Sequence, residues 1–254
     1  MKKSQGILST FAAIASGSYK IIPQELRIPC CDGTVLGAQY WKRTTSSTKF
    51  STGQELTILC LHGWLDNCRS FHYLAPTLAS SLNANVVALD YPGHGESSHR
   101  SLDAPPLVQS DLVYYVCEAI DAITDSEVPG LAMHQGPISV IGHSLGAGVA
   151  SLSTAAFPEK IENLILLDGA GFLARNAKDT ASHVRNHVVR RQKQKTQKKP
   201  RLYENLDMAI RTRRESATRM PGNQTISYEA AKELVERGTC PCPDDKVRFQ
   251  HDHR

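Results

Sequence analysis

Ile138-Ser139-Val140-Ile141-Gly142-His143-Ser144-Leu145-Gly146-Ala147-Gly148-Val149-Ala150 is the stretch that decides the fold. Ile138, Val140 and Ile141 make a short β-branched run of the kind that forms a buried strand. Gly142-His143-Ser144-Leu145-Gly146 follows and fits the pattern G-x-S-x-G. Leu145 to Phe157 then reads as a helix, with Pro158 just beyond it. Strand, tight turn, small residues and helix form the context in which this pattern carries chemistry. The reason is steric. A serine in a strained strand-to-helix turn has little room beside it, so glycine is needed two residues before and two after. The strain holds the hydroxyl at the edge of the sheet. The first N–H groups of the helix point to the same place, where they can hold a developing oxyanion. Ser144 is therefore the candidate nucleophile, and the N–H of Leu145 is half of a candidate oxyanion hole. The plainer alternative is a helix start whose small residues serve close packing.

Working outward, the chain alternates strands and helices. Leu56 to Leu61 is a continuous apolar run, as in a central parallel strand, and it ends in His62-Gly63-Trp64-Leu65-Asp66-Asn67. Ser70 to Leu82 reads as a helix. Asn85 to Leu89 is a second buried strand, ending in Asp90-Tyr91-Pro92-Gly93-His94-Gly95-Glu96-Ser97. Leu107 to Thr124 carries Leu112, Val116, Ala119, Ile120 and Ile123 at helical spacing. Ile161 to Leu167 is another strand, ending at Asp168-Gly169-Ala170-Gly171. Upstream, Gln24 to Trp41 reads as a hairpin turning at Asp32-Gly33, and Thr44 to Gly53 as a loop. This alternation predicts a mostly parallel sheet covered on both faces, with its site beyond the carboxyl ends of the strands. Each strand ends in its most distinctive residues, which agrees with that placement.

Composition sets the bounds. A chain of 254 residues with 41% hydrophobic content suits one domain with an insertion, or two small ones. The net charge of +4 is unevenly spread. Much of the excess lies between Arg185 and Arg201, a stretch that reads first as a solvated face. Nucleic acid, an anionic membrane surface and an import receptor are the other partners such charge suits, but no interleaved aromatics or nucleic-acid fold signature accompanies it. Seven cysteines, an odd number, suggest no disulfide framework and read as free thiols in a reducing compartment. Cys240-Pro241-Cys242 has the wrong spacing for half of a zinc site. No run approaches the roughly 20 apolar residues of a membrane span. Lys2 and Lys3 followed by Ile7 to Ala15 mimic a weak targeting peptide, but Ser9, Thr10 and Ser16 break the run, and a frayed extension is the preferred reading. The cytoplasm is the default compartment, with mitochondria and peroxisomes as alternatives.

After Phe172 the character changes. Residues 176–199 are polar and basic, while Tyr203 to Arg219 and Ser227 to Arg237 read as helices, the latter capped by Ser227. The expected organisation is an N-terminal extension (1–23), an α/β core (24–171), a helical lid (172–247) and the start of a return to the core (248–254).

Four motifs converge at this point: Leu61 to Asn67, Leu89 to Ser97, Gly142 to Gly148, and Phe157-Pro158-Glu159-Lys160. Together they resemble the α/β-hydrolases, in particular the serine hydrolase-like proteins near the lid-bearing esterases and epoxide hydrolases. The resemblance covers about residues 24–171 and, more loosely, the lid. It implies an α/β-hydrolase fold and no metal or organic cofactor. Trp64 would supply the second oxyanion N–H, His62 would brace that loop, His143 would belong to the turn rather than act as base, and Asp90 to Ser97 would form the rim of the site. Epoxide hydrolases of the family carry aspartate where Ser144 stands, so serine implies acyl transfer from a small ester or related acyl substrate through an acyl-enzyme.

The same resemblance exposes a gap. The family's triad runs serine, acid, histidine along the chain, with two further core strands after the lid. Asp168 is the acid available here. His183, His187, His251 and His253 are the histidines that follow it, and none has the expected setting, so the catalytic histidine is not identified. The expectation is a truncated enzyme, poor in catalysis and marginal in stability. The alternative is an inactive hydrolase-fold binding protein.

Overall fold

The structure is a computed structural model that describes residues 22–43, 56–100, 107–125, 128–131, 134–171, 176–193, 201–219 and 224–251. The readings made above for residues 1–21, for the loop at 44–53, for residues 194–200 of the basic stretch and for His253 lie outside them.

Six strands form one sheet: β1 (Gln24–Pro29), β2 (Val35–Trp41), β3 (Thr57–Leu61), β4 (Asn85–Leu89), β5 (Ile138–His143) and β6 (Ile161–Leu167). Their order is β1-β2-β4-β3-β5-β6. The hairpin β1–β2 is antiparallel and joins β4 antiparallel, whereas β3 pairs in parallel with β4 and β5, and β5 with β6. Every residue of β3 and β4 is buried, which is why these strands are apolar runs without polar alternation. The turn of the first hairpin falls on Asp32-Gly33, with Gly33 at φ 84°.

Helices cover both faces. Helices α2 (Gln109–Thr124) and α3 (Leu145–Ala156) close the larger core, in which Val116, Ile120 and Val149 meet Leu59, Val87 and Val140. The opposite face is covered by a 3₁₀ turn (Cys68–Phe71) and helix α1 (Leu74–Ser81), over Ile58, Cys60, Val86 and Ile141. The single helix read over Ser70 to Leu82 is thus split in two. A continuous helix would put Pro76 inside it, where its ring meets the carbonyl four residues back. Restarting at Leu74 leaves Pro76 in a first turn, where no N–H is needed. None of the seven cysteines, all among the described residues, is in a disulfide, and Cys60 and Cys68 are fully buried.

Beyond β6 come a short 3₁₀ turn (Ala177–Asp179), α4 (Thr180–Lys193), α5 (Leu206–Thr218), α6 (Tyr228–Gly238), β7 (Thr239–Pro241) and β8 (Val247–Phe249). Ser227 caps α6 as its position foretold, its hydroxyl accepting from the Ala230 N–H at 3.1 Å. Helices α5 and α6 build a small core of their own from Tyr203, Ile210, Ala231 and Val235, with Val247 and Phe249 against it. A strand does begin at Val247. It pairs with β7 and bridges Tyr203, and it does not join the central sheet.

Candidate active site

The serine turn is built by close approach. Ser144 sits between β5 and α3 at φ 50°, ψ −112°, a conformation costly for any residue with a side chain. A Cβ on Gly142 would lie 2.3 Å from the Gly146 oxygen, and one on Gly146 would lie 2.2 Å from the Leu61 oxygen. Neither position accepts a side chain, which is the steric rule behind G-x-S-x-G in this chain. The Ser144 N–H donates to the Leu167 carbonyl at 3.0 Å, and the Ser144 carbonyl accepts from Ala147 at 3.0 Å, so the turn is fastened to β6 on one side and to α3 on the other. The side chain is exposed, and no hydrogen bond engages its hydroxyl among the described residues.

The loop after β3 lies directly against this serine. A Cβ on Gly63 would stand 3.4 Å from the Ser144 Cβ and 3.0 Å from His143 Nδ1. The next residue, Trp64, is 55% exposed. The N–H groups of Trp64 and Leu145 are taken up by no acceptor among the described residues. His62 holds the loop in place. Its Nε2 accepts from the Tyr91 N–H at 3.1 Å, so the proton is on Nδ1, which donates to the Gly63 carbonyl at 2.8 Å. The ring is fully buried. Burial and the neighbouring His94 push its pKa down to about 3, so it is neutral and both its nitrogens are occupied. His143 turns its buried Nδ1 toward Gly63, and it has no hydrogen-bond partner among the described residues.

The rim is organised by Asp90, which is wholly buried at the end of β4. Its Oδ1 accepts from the Cys68 N–H at 2.7 Å, and its Oδ2 accepts from the Glu96 N–H at 2.9 Å and from Arg237 Nε at 2.8 Å. The same guanidinium donates both terminal nitrogens to Glu25 on β1, each at 2.9 Å. Gln250 ties the Arg237 and Gly95 carbonyls together. Asn67 donates to the Leu234 carbonyl, Arg213 pairs with Asp66, and Arg69 with Glu233. Thus α5, α6 and the β7–β8 hairpin are fastened to the loops at the carboxyl ends of β3 and β4. The sequence marked Asp90 as part of the rim but gave no sign of Arg237, Glu25 or Gln250 as its partners.

The remaining candidates separate. Asp168 follows β6 at φ 51°, exposed, and its carboxylate has no hydrogen-bond partner among the described residues. Its neighbour Gly169 abuts the serine turn, where a Cβ would stand 3.1 Å from the Ala147 Cβ and 3.3 Å from the Ser144 carbonyl oxygen. His183 and His187 are exposed on α4. His251 stacks on His94 with centroids 6.3 Å apart, and His94 in turn meets the edge of Trp64 at 6.4 Å. No cluster of metal-ligating side chains occurs among the described residues.

Comparison with known proteins gives this geometry a context. The profile of the alpha/beta hydrolase fold matches residues 57–203. A serine hydrolase-like protein of Danio rerio is 32% identical over 184 residues, covering 71% of this chain and 50% of its own. One of Dictyostelium discoideum is 30% identical over 219 residues, covering 84% of this chain and 52% of its own. The chain thus spans about half the length of these curated relatives. Among solved structures, a hypothetical protein of Pseudomonas aeruginosa superposes with a TM-score of 0.71 at 29% identity, covering 90% of this chain and 69% of that one.

Proposed function

The chain belongs to the α/β-hydrolase fold family, and from that premise we infer that it forms the nucleophile-bearing part of a serine hydrolase acting on carboxylic esters or related acyl substrates. In this reading the Ser144 oxygen attacks the acyl carbon, its proton passes to a base, and the N–H groups of Trp64 and Leu145 receive the charge on the carbonyl oxygen. The alcohol leaves with a proton, and water then cleaves the acyl-enzyme. The observation that carries this is Ser144 itself: a hydroxyl on a residue held in a costly backbone conformation, between two glycines that tolerate no Cβ, beside two N–H groups that no acceptor among the described residues takes up. Serine hydrolase-like names among the relatives agree with it. The segment 172–247 is read as the lid that shapes the acyl pocket.

Asp168 is the proposed acid, because Gly169 beside it touches the serine turn. The base is assigned to none of the described histidines. His62 is neutral with both nitrogens engaged, and His183 and His187 are exposed on α4. The unengaged hydroxyl of Ser144 favours a second reading, a hydrolase-fold binding protein without turnover. A fluorophosphonate probe separates the two. Covalent labelling located at Ser144 by mass spectrometry, and lost in Ser144→Ala, is the expected result. A folded chain that stays unlabelled would overturn the nucleophile and leave the binding protein.

A further inference from the structure

Among its described side chains, helix α4 has none buried to account for its apolar residues. From Thr180 to Gln192, among the side chains described, all are exposed except Val189, which is half-buried. Yet Ala181, Val184 and Val188 recur at spacings of three and four, which places them on one stripe of the helix. Val184 is 59% exposed and Val188 46%. Arg185 adjoins this stripe, exposed and without an ion-pair partner among the described residues. The charge around it has one sign. Between residues 185 and 201 the sequence carries eight lysines and arginines and no acid; the nearest acids on either side are Asp179 and Glu204.

We propose that α4 is a docking helix for an anionic lipid surface. Two properties select that partner over a nucleic acid. The cations supply attraction to acidic headgroups, and each adds to the surface affinity. The valines supply an apolar strip that enters the headgroup boundary while the stem of Arg185 lies along it, whereas a phosphate backbone offers an apolar strip nothing. The helix also has a short tether to the candidate site. Gly171 lies next to the Gly169 segment that abuts Ser144, and the five residues from there to Asn176 span at most about 18 Å. A chain docked through α4 therefore keeps the Ser144 region close to the lipid surface. The proposal stands apart from the catalytic reading, because docking is measured without turnover.

The experiment is co-sedimentation of the purified 254-residue chain with vesicles of phosphatidylcholine alone and with part of it replaced by phosphatidylserine. Binding is expected only with phosphatidylserine, and it should weaken as salt is raised. Arg185→Gln should weaken it about five-fold, the value of one cation near such a surface. Val184→Asp/Val188→Asp should abolish it while leaving the thermal unfolding unchanged, since neither valine is buried. Equal partition to neutral vesicles, no binding to either, or anionic binding that survives the double valine substitution would overturn the proposal. So would an oligonucleotide held more tightly than the vesicles and insensitive to the valines, which would assign the charge to nucleic acid instead.

Discussion

Replacing Arg237 by methionine tests what holds the rim of the site. Methionine keeps much of the side chain's length and removes its charge and all its donors. Two carboxylates then lose a partner, and they are not equivalent. The side chain of Glu25 is 53% exposed, so water replaces the guanidinium there and the loss is about 0–1 kcal/mol. Asp90 is wholly buried. It keeps the Cys68 and Glu96 amides but loses the ion pair it makes with Arg237, and an uncompensated buried charge costs about 3–5 kcal/mol. Against a typical total of about 5–15 kcal/mol, that is a large fraction. Urea unfolding followed by tryptophan fluorescence reads it, because Trp41 is buried at the end of β2 and shifts when the sheet opens. With a slope of about 1–3 kcal/mol per molar urea, the midpoint should fall by 1 M or more. Glu25→Gln should move it far less. Arg237→Met combined with Asp90→Asn should cost less than the two separately, since the charge that needs the arginine has gone. An Arg237→Met midpoint within the range of Glu25→Gln would refute the reasoning, and the two amides alone would then suffice for Asp90.

Two further outcomes follow from the site. Gly146→Ala improves helix propensity by about 1 kcal/mol but drives a Cβ to 2.2 Å from the Leu61 carbonyl, and displacing that strand end costs more, about 1–3 kcal/mol net; calorimetry should show a lower melting temperature together with lost probe labelling, and an unchanged or higher one would contradict the close approach. His62 is neutral in the fold with its pKa near 3, while the unfolded chain titrates near the ordinary 6.5, so the unfolded state binds the extra proton between these values. The stability tied to this histidine is complete above pH 6.5 and is lost as the pH falls toward 3, by about 1.4 kcal/mol per pH unit; denaturant unfolding across that window should give a shallower acid slope in His62→Gln, and an identical slope would remove His62 as the cause.

Local chemistry was legible in the sequence, and long-range pairing was not. β4 and β6 fall on the residues read as strands, Asn85–Leu89 and Ile161–Leu167: in β4 burial on both sides leaves the apolar run Val86–Leu89 behind Asn85, and in β6 the apolar Leu164–Leu167 ends at Asp168. The glycine at 142 was readable because its steric demand is set within five residues, by the Gly146 carbonyl, whereas the demand at 146 comes from Leu61, far off in the chain, and only the pattern around Ser144 marked it. Ser227 was readable as a cap because its target lies three residues on. Arg237 was not, since its partners Asp90 and Glu25 are 147 and 212 positions away and nothing in Val235-Glu236-Arg237-Gly238 distinguishes a buried arginine from a solvated one. The helix read over Ser70 to Leu82 is split because Pro76 fits only within the first turn of a helix that restarts at Leu74. The strand that begins at Val247 joins β7 and not the central sheet, a pairing the sequence does not show because three residues contain no information about which edge they join.

The backbone of Ser144 has a meaning for how this chain changes over generations. A non-glycine residue at φ 50°, ψ −112° costs about 1–3 kcal/mol that glycine would not. Stability alone would therefore favour exchanging this serine for glycine, a single replacement that leaves the turn intact and removes only the hydroxyl. Position 144 is thus a gauge of selection: copies of the chain on which the hydroxyl no longer confers an advantage should drift to glycine there, and lineages that retain serine retain it against the pull of the fold.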